Sequence, residues 1–146
     1  MSRLLTATIV GWIGLASTGA AFADGHSALV AEGEQVFGDV CYACHGITDE
    51  ETDRIAPPVF TVKNRYSKLG DREDFVAAVS AYAFDPTEET ALMKGAISKF
   101  GMMPNVGITE EEALAVAEYL FATDFSLPDW AQAHMDEKHS DGADTH

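Results

Sequence analysis

Five consecutive residues, Cys41-Tyr42-Ala43-Cys44-His45, restrict this chain more than anything else in it. The two thiols are the only cysteines in 146 residues, and their spacing puts them on one side of a helical turn with an imidazole directly after. Four chemistries use such a run. A disulfide between Cys41 and Cys44 is the plain structural outcome in an oxidising compartment. A thioredoxin-like redox pair wants a strand before the motif and a helix after it, whereas here helical spacing precedes and an irregular stretch follows. A structural zinc site needs four ligands, and the second cysteine pair it usually draws on is missing. The C-x-x-C-H run is also the attachment pattern of c-type haem, in which two thiols meet the two vinyl groups of one porphyrin and the imidazole falls beneath the ring. Covalent haem through Cys41 and Cys44, with His45 on the iron, is the expectation carried forward.

The N-terminus reads as an address. Arg3 precedes an uncharged apolar run from Leu4 to Ala16, and Ala21-Phe22-Ala23 is a small-x-small site before Asp24. Residues 1–23 are therefore expected to be a cleavable signal peptide, the mature chain to begin at Asp24, and the protein to lie in the periplasm. No later stretch approaches the length of a membrane span, so none is expected in the mature chain. The 24 acidic side chains against 9 basic ones, a formal net charge of -15, argue against nucleic acid as a partner.

Apolar residues recur at helical spacing in four places, and no strand pattern competes. Leu29, Val30, Gly33, Val36, Phe37 and Val40 predict a first helix over residues 28 to about 40, capped by Ser27 and running into Cys41. The stretch from Gly46 to Leu69, with its acidic run and the Pro57-Pro58 pair, is expected to be a long loop. Phe75, Val76, Val79 and Tyr82 predict a helix entered at Asp71. Leu92, Met93, Ala96, Ile97 and Phe100 predict a third, with Asp85 as N-cap, Pro86 at the first position and Gly101 just past the end. Thr109 and Glu112 form a capping box before a last helix with Ala113, Leu114, Ala117, Leu120 and Phe121 on its apolar face. Residues 24–127 are expected to form one all-α domain of four to five helices around the haem, and residues 128–146 an acidic, disordered tail. The tail's His134, His139 and His146 are read as solvated, and Trp130 is assigned no role.

These residues together resemble a class I c-type cytochrome: mono-haem, bacterial and exported, with the likeness running from residue 28 to 123. Gly33 and Phe37 are similar to the pair with which that family packs its first helix on its last. Ala113 to Leu120, with Tyr119-Leu120, is similar to that last helix. Ala56-Pro57-Pro58-Val59 resembles the family's Gly-Pro-x-Leu segment, which implies that the Pro57 carbonyl accepts a hydrogen bond from the proximal imidazole. Met103-Pro104-Asn105 resembles the distal-ligand loop, which implies Met103 as sixth ligand, with Met102 as the alternative and Met93 as core. Lys63, Arg65, Tyr66 and Ser67 fall where such cytochromes pass near the haem propionates, so Tyr66 is a candidate donor.

Two soft or borderline axial ligands would close the iron to oxygen and peroxide and leave it to move electrons. The expected function is a periplasmic carrier that shuttles single electrons between redox partner proteins, not an enzyme. Two rivals stand beside it: a subunit of a larger periplasmic oxidoreductase complex, and a haem enzyme or gas sensor with an open sixth position. Arg54, Lys63, Arg65, Lys68 and Arg72 lie in one stretch and are expected to form a basic docking spot on an acidic body.

Overall fold

The computed structural model describes residues 19–48 and 54–133, and all regular structure among them is helical. Helix α1, Gly19–Val36, continues without a break through a π turn at Phe37–Cys41 into the short α2, Tyr42–His45. The residues on both sides of the turn keep right-handed helical dihedrals, and the Tyr42 amide bonds the Phe37 carbonyl five residues back. That extra residue re-phases the rod. Phe37 stays buried against Tyr119 and Phe125, and Cys41, half-buried, packs on the same core and lines the cavity described below. Ser27 lies inside α1 and is not its cap, because the helix begins eight residues upstream of it, at Gly19.

Helix α6, Glu110–Ala122, forms the spine of the fold and packs against both α1 and α4. Its start is capped as the sequence predicts. The Glu112 amide donates to Thr109 Oγ1 at 3.2 Å, and the Thr109 amide donates to the Glu112 carboxylate at 2.7 Å. At the crossing with α1 the two backbones touch. A Cβ on Gly33 would lie 1.9 Å from the Ala115 carbonyl oxygen and 2.8 Å from Tyr119 Cβ, so only glycine fits there. Ala113, Ala115 and Ala117 keep the α6 surface low, whereas Leu114, expected on the apolar face, is exposed.

Helix α4, Arg72–Phe84, is capped by Asp71, whose carboxylate accepts the Asp74 amide at 3.0 Å. It buries Phe75 completely between Tyr66 and Phe121, at centroid distances of 6.3 and 5.4 Å. Burial of one such ring is worth roughly 1.5–3 kcal/mol. The start of α4 is tied to α6 by Arg72, whose guanidinium grips both carboxylate oxygens of the buried Glu118.

The structure departs from the sequence reading in two helices. The stretch expected to be loop up to Leu69 contains α3, Val59–Tyr66, and a 3₁₀ turn at Ser67–Leu69. Helix α3 starts straight after Pro58 and buries Val59 and Tyr66, two turns apart; with so few apolar residues its helical period is invisible in sequence. Helix α5 runs only from Lys94 to Phe100, so Asp85 and Pro86 do not start it. The Thr87 amide donates to Thr90 Oγ1 at 3.0 Å, the Thr90 amide to Thr87 Oγ1 at 3.2 Å, and the Thr90 hydroxyl to the Asp85 carbonyl at 2.9 Å. Those side chains satisfy the backbone groups that a helix would have used. Its end is as expected: Gly101 takes φ +84° and stops the helix.

Beyond α6 the chain stays ordered further than the expected tail boundary at 128. Residues 129–133 are helical, and Ala131 is 4% exposed. Residues 1–18, with most of the expected signal peptide, and 134–146, with His134, His139 and His146, lie outside the described residues.

Candidate haem-binding site

A cavity of about 310 Å³ lies between the end of the α1–α2 rod, α4, α5 and the loop after Gly101. It is lined by Cys41, Cys44, His45 and Pro57, by Met102, Met103 and Pro104 of the loop, and by Val116 and Leu120 of α6. Among the described residues no Asp, Glu, Lys or Arg lines it. The described side chains with polar or sulfur atoms that line it are Cys41, Cys44, His45, Tyr66, Tyr82, Met93, Met102 and Met103. Val40, Ile55, Met102 and Val106 line the cavity and are also exposed, Ile55 to 66%, and so mark its mouth.

His45 Nδ1 donates to the Pro57 carbonyl at 2.7 Å. A carbonyl only accepts, so the proton sits on Nδ1, and the Nε2 lone pair is the one available to a metal. Burial lowers the His45 pKa, partly offset by the Pro57 hydrogen bond, which keeps the ring neutral and suited to ligation. Cys41 and Cys44 are free thiols. Burial, with a smaller contribution from Cys44, pushes the Cys41 thiol up to about 11. A redox dithiol works through a depressed thiol pKa, so this environment is opposite to what a thioredoxin-like pair requires.

The structure places the expected residues unequally. Tyr66 is buried at the end of α3 and lines the cavity; its pKa is raised by burial, against a hydrogen bond with the Leu92 backbone. Met103 is half-buried on the wall, and the neighbouring Met102 sulfur accepts a hydrogen bond from Tyr82 Oη at 3.6 Å. Met93, read from sequence as core alone, reaches the wall too. Neither Tyr82 nor Met93 carried a separate signal, because both sit at ordinary apolar positions of a helical pattern.

Three of the five cations expected to form a basic docking spot have partners within the fold, while Arg65 and Lys68 are exposed. Lys63 turns away from the cavity and donates to the Phe121 carbonyl at 3.1 Å, to the Thr123 carbonyl and to Asp124. Arg72 is held by Glu118, and the Arg54 guanidinium lies 4.6 Å over the Trp130 ring. These cations are spent on the fold.

An apolar cavity lined by two thiols, a neutral imidazole and thioethers suits a flat, apolar, iron-bearing macrocycle, and an all-α domain built round it is of the haem-binding class. The family model described as Cytochrome c matches residues 30–124, more than half of the chain, and the chain belongs to the cytochrome c family. That family binds haem c and transfers electrons through it, and the spacing of Cys41 and Cys44 fits covalent attachment. No curated protein and no solved structure matches the chain. Among the described residues no helix is long and apolar enough to cross a membrane.

Proposed function

We propose that this chain is a mono-haem, class I cytochrome c of bacterial type, exported to the periplasm behind a signal peptide of residues 1–23, that carries single electrons between redox proteins. The observation that carries the reading is the 2.7 Å hydrogen bond from His45 Nδ1 to the Pro57 carbonyl at the wall of an apolar cavity. The haem, when bound, supplies a one-electron iron couple. Cys41 and Cys44 would hold it as thioethers, and His45 and Met103 would ligate its iron. Pro57 keeps the imidazole in one tautomer and one orientation, so that its Nε2 is preset for the metal. The apolar walls exclude water and counter-ions, which keeps the surroundings nearly constant between oxidation states. Tyr66 offers a buried hydroxyl to a propionate. Exposed apolar residues at the mouth provide a surface for brief contact with partners.

Mass spectrometry of protein purified from the periplasm tests the proposal. The expected species begins at Asp24 and carries one haem; Cys41→Ser or Cys44→Ser leaves at most one thioether, and the double variant none. A wild-type species with both thiols unmodified or mutually oxidised overturns it.

A further inference from the structure

The segment after α6 folds back along the proximal side of the site. Lys63 of α3 holds the carbonyls of Phe121 and Thr123 where α6 ends. Phe125 then packs on Phe37 and Tyr119, at centroid distances of 6.3 and 5.8 Å. Pro128 opens a helical turn, with its carbonyl accepting the amides of Ala131 and Gln132 at 2.9 and 3.1 Å. The turn delivers Trp130 onto Phe60 of α3 at 5.8 Å. The indole has further partners. Its Nε1–H donates to the Thr48 carbonyl at 2.9 Å, and the Arg54 guanidinium stacks 4.6 Å over its ring. Thr48 lies three residues after His45, and Arg54 three residues before Pro57.

We propose that residues 125–133 are a strap, and that Trp130 is a positioning residue which holds the Pro57 carbonyl on His45. Pro57, ahead of α3, carries the acceptor that orients the imidazole, yet the described residues leading to it, 54–57, have no regular structure of their own. One indole pins both sides of the connection between α2 and α3, at Thr48 and at Arg54, and is itself backed by Phe60, next to the first residue of α3. An acceptor two residues before a helix start keeps its place only while the chain leading into it is held. Cation–π stacking and a carbonyl hydrogen bond provide that hold without touching the cavity, which Trp130 does not line. The strap's effect on the bound haem rests on the reading of His45 as proximal ligand; its hold on Thr48 and Arg54 does not.

The test compares wild-type holoprotein with Trp130→Ala and Trp130→Phe. In Trp130→Ala the expected result is solvent exchange of the His45 Nδ1 proton, followed by NMR in the reduced state, faster by about tenfold or more, and tryptic cleavage after Arg54 faster by a similar factor. Trp130→Phe keeps a ring over Phe60 and Arg54 and loses the donor to Thr48, so it should restore most of the resistance at Arg54 and part of the Nδ1 protection. Nδ1 exchange in Trp130→Ala within about twofold of wild type overturns the proposal, whether or not Arg54 becomes cleavable, because the strap then acts only as a surface cover. If Trp130→Ala is not recovered folded, Arg54→Gln is read on the same NMR scale: faster exchange supports the strap and unchanged exchange overturns it. The ligand assignment has a separate readout, the loss of the low-spin absorption spectrum in His45→Ala, so the two failures are distinct.

Discussion

Met102 and Met103 are neighbours in sequence but not in circumstance. Tyr82 already donates to the Met102 sulfur, and Pro104 fixes the backbone just after Met103. With Met103 as the distal ligand, Met103→Ala should open the iron, lower the reduction potential and let the reduced protein bind carbon monoxide. Met102→Ala should keep a closed, low-spin spectrum. Visible spectra of the two reduced variants with and without carbon monoxide check this, and exchanged behaviours would move the ligand to Met102. The thiols show a second residue-scale effect. Cys41 is desolvated enough to stay protonated near neutral pH, so its alkylation in haem-free protein should be slow at pH 7 and accelerate only as the pH rises toward about 11. A rate that levels off below pH 8 would contradict the environment described for it.

Among the elements, the α1–α6 crossing is the least tolerant contact. Gly33→Ala puts a methyl group into the Ala115 carbonyl and forces the helices apart, at a cost of roughly 1–3 kcal/mol or more, measurable as a lower denaturant midpoint. Thr109→Ala removes one half of the capping box on α6 and should cost about 1 kcal/mol. The α4–α6 tie is of another kind. Arg72→Ala strands the carboxylate of Glu118, 4% exposed, without its cation. Removing one partner of a buried pair costs about 3–5 kcal/mol, and the half-exposed arginine places this case toward the lower end. Chemical denaturation of the holoprotein ranks the three substitutions, and a neutral Arg72→Ala would remove the pair from the account of stability.

Across the whole molecule charge acts first through its sum. Lys63, Arg72 and Arg54 are committed to carbonyls, a carboxylate and an indole, whereas the chain carries a formal net charge of -15. Oxidation by a small anionic reagent should therefore speed up as salt screens like-charge repulsion, and oxidation by a cationic reagent should slow down. Stopped-flow rates over a salt series give both signs, and a rate to the anion that falls with salt would restore a local basic docking site. Lys63→Glu should lower the thermal midpoint, because the lysine caps the end of α6, while the exposed Lys68→Glu should leave it unchanged.

What this sequence determined by itself is what acts over a few residues. The C-x-x-C-H run places Cys41, Cys44 and His45 on one short piece of helix; Asp71 and the Thr109–Glu112 box start α4 and α6; Gly101 stops α5. Each depends on helix geometry or on a hydrogen bond within one turn, so the residues alone suffice. Resemblance added Pro57, twelve residues from His45, and the structure puts the two 2.7 Å apart. Other features were decided by packing. Helix α3 has too little apolar periodicity to announce itself and exists because Val59 and Tyr66 have a core to enter. The Thr87–Thr90 turn overrode a helix start at Asp85. Lys63 and Arg72 look like free surface charge until α6 supplies their partners, and Trp130 has no meaning until the chain folds back and brings Thr48, Arg54 and Phe60 around it. Contacts between residues so far apart in the chain leave no period and no motif, and they come into being only when burial brings the elements together.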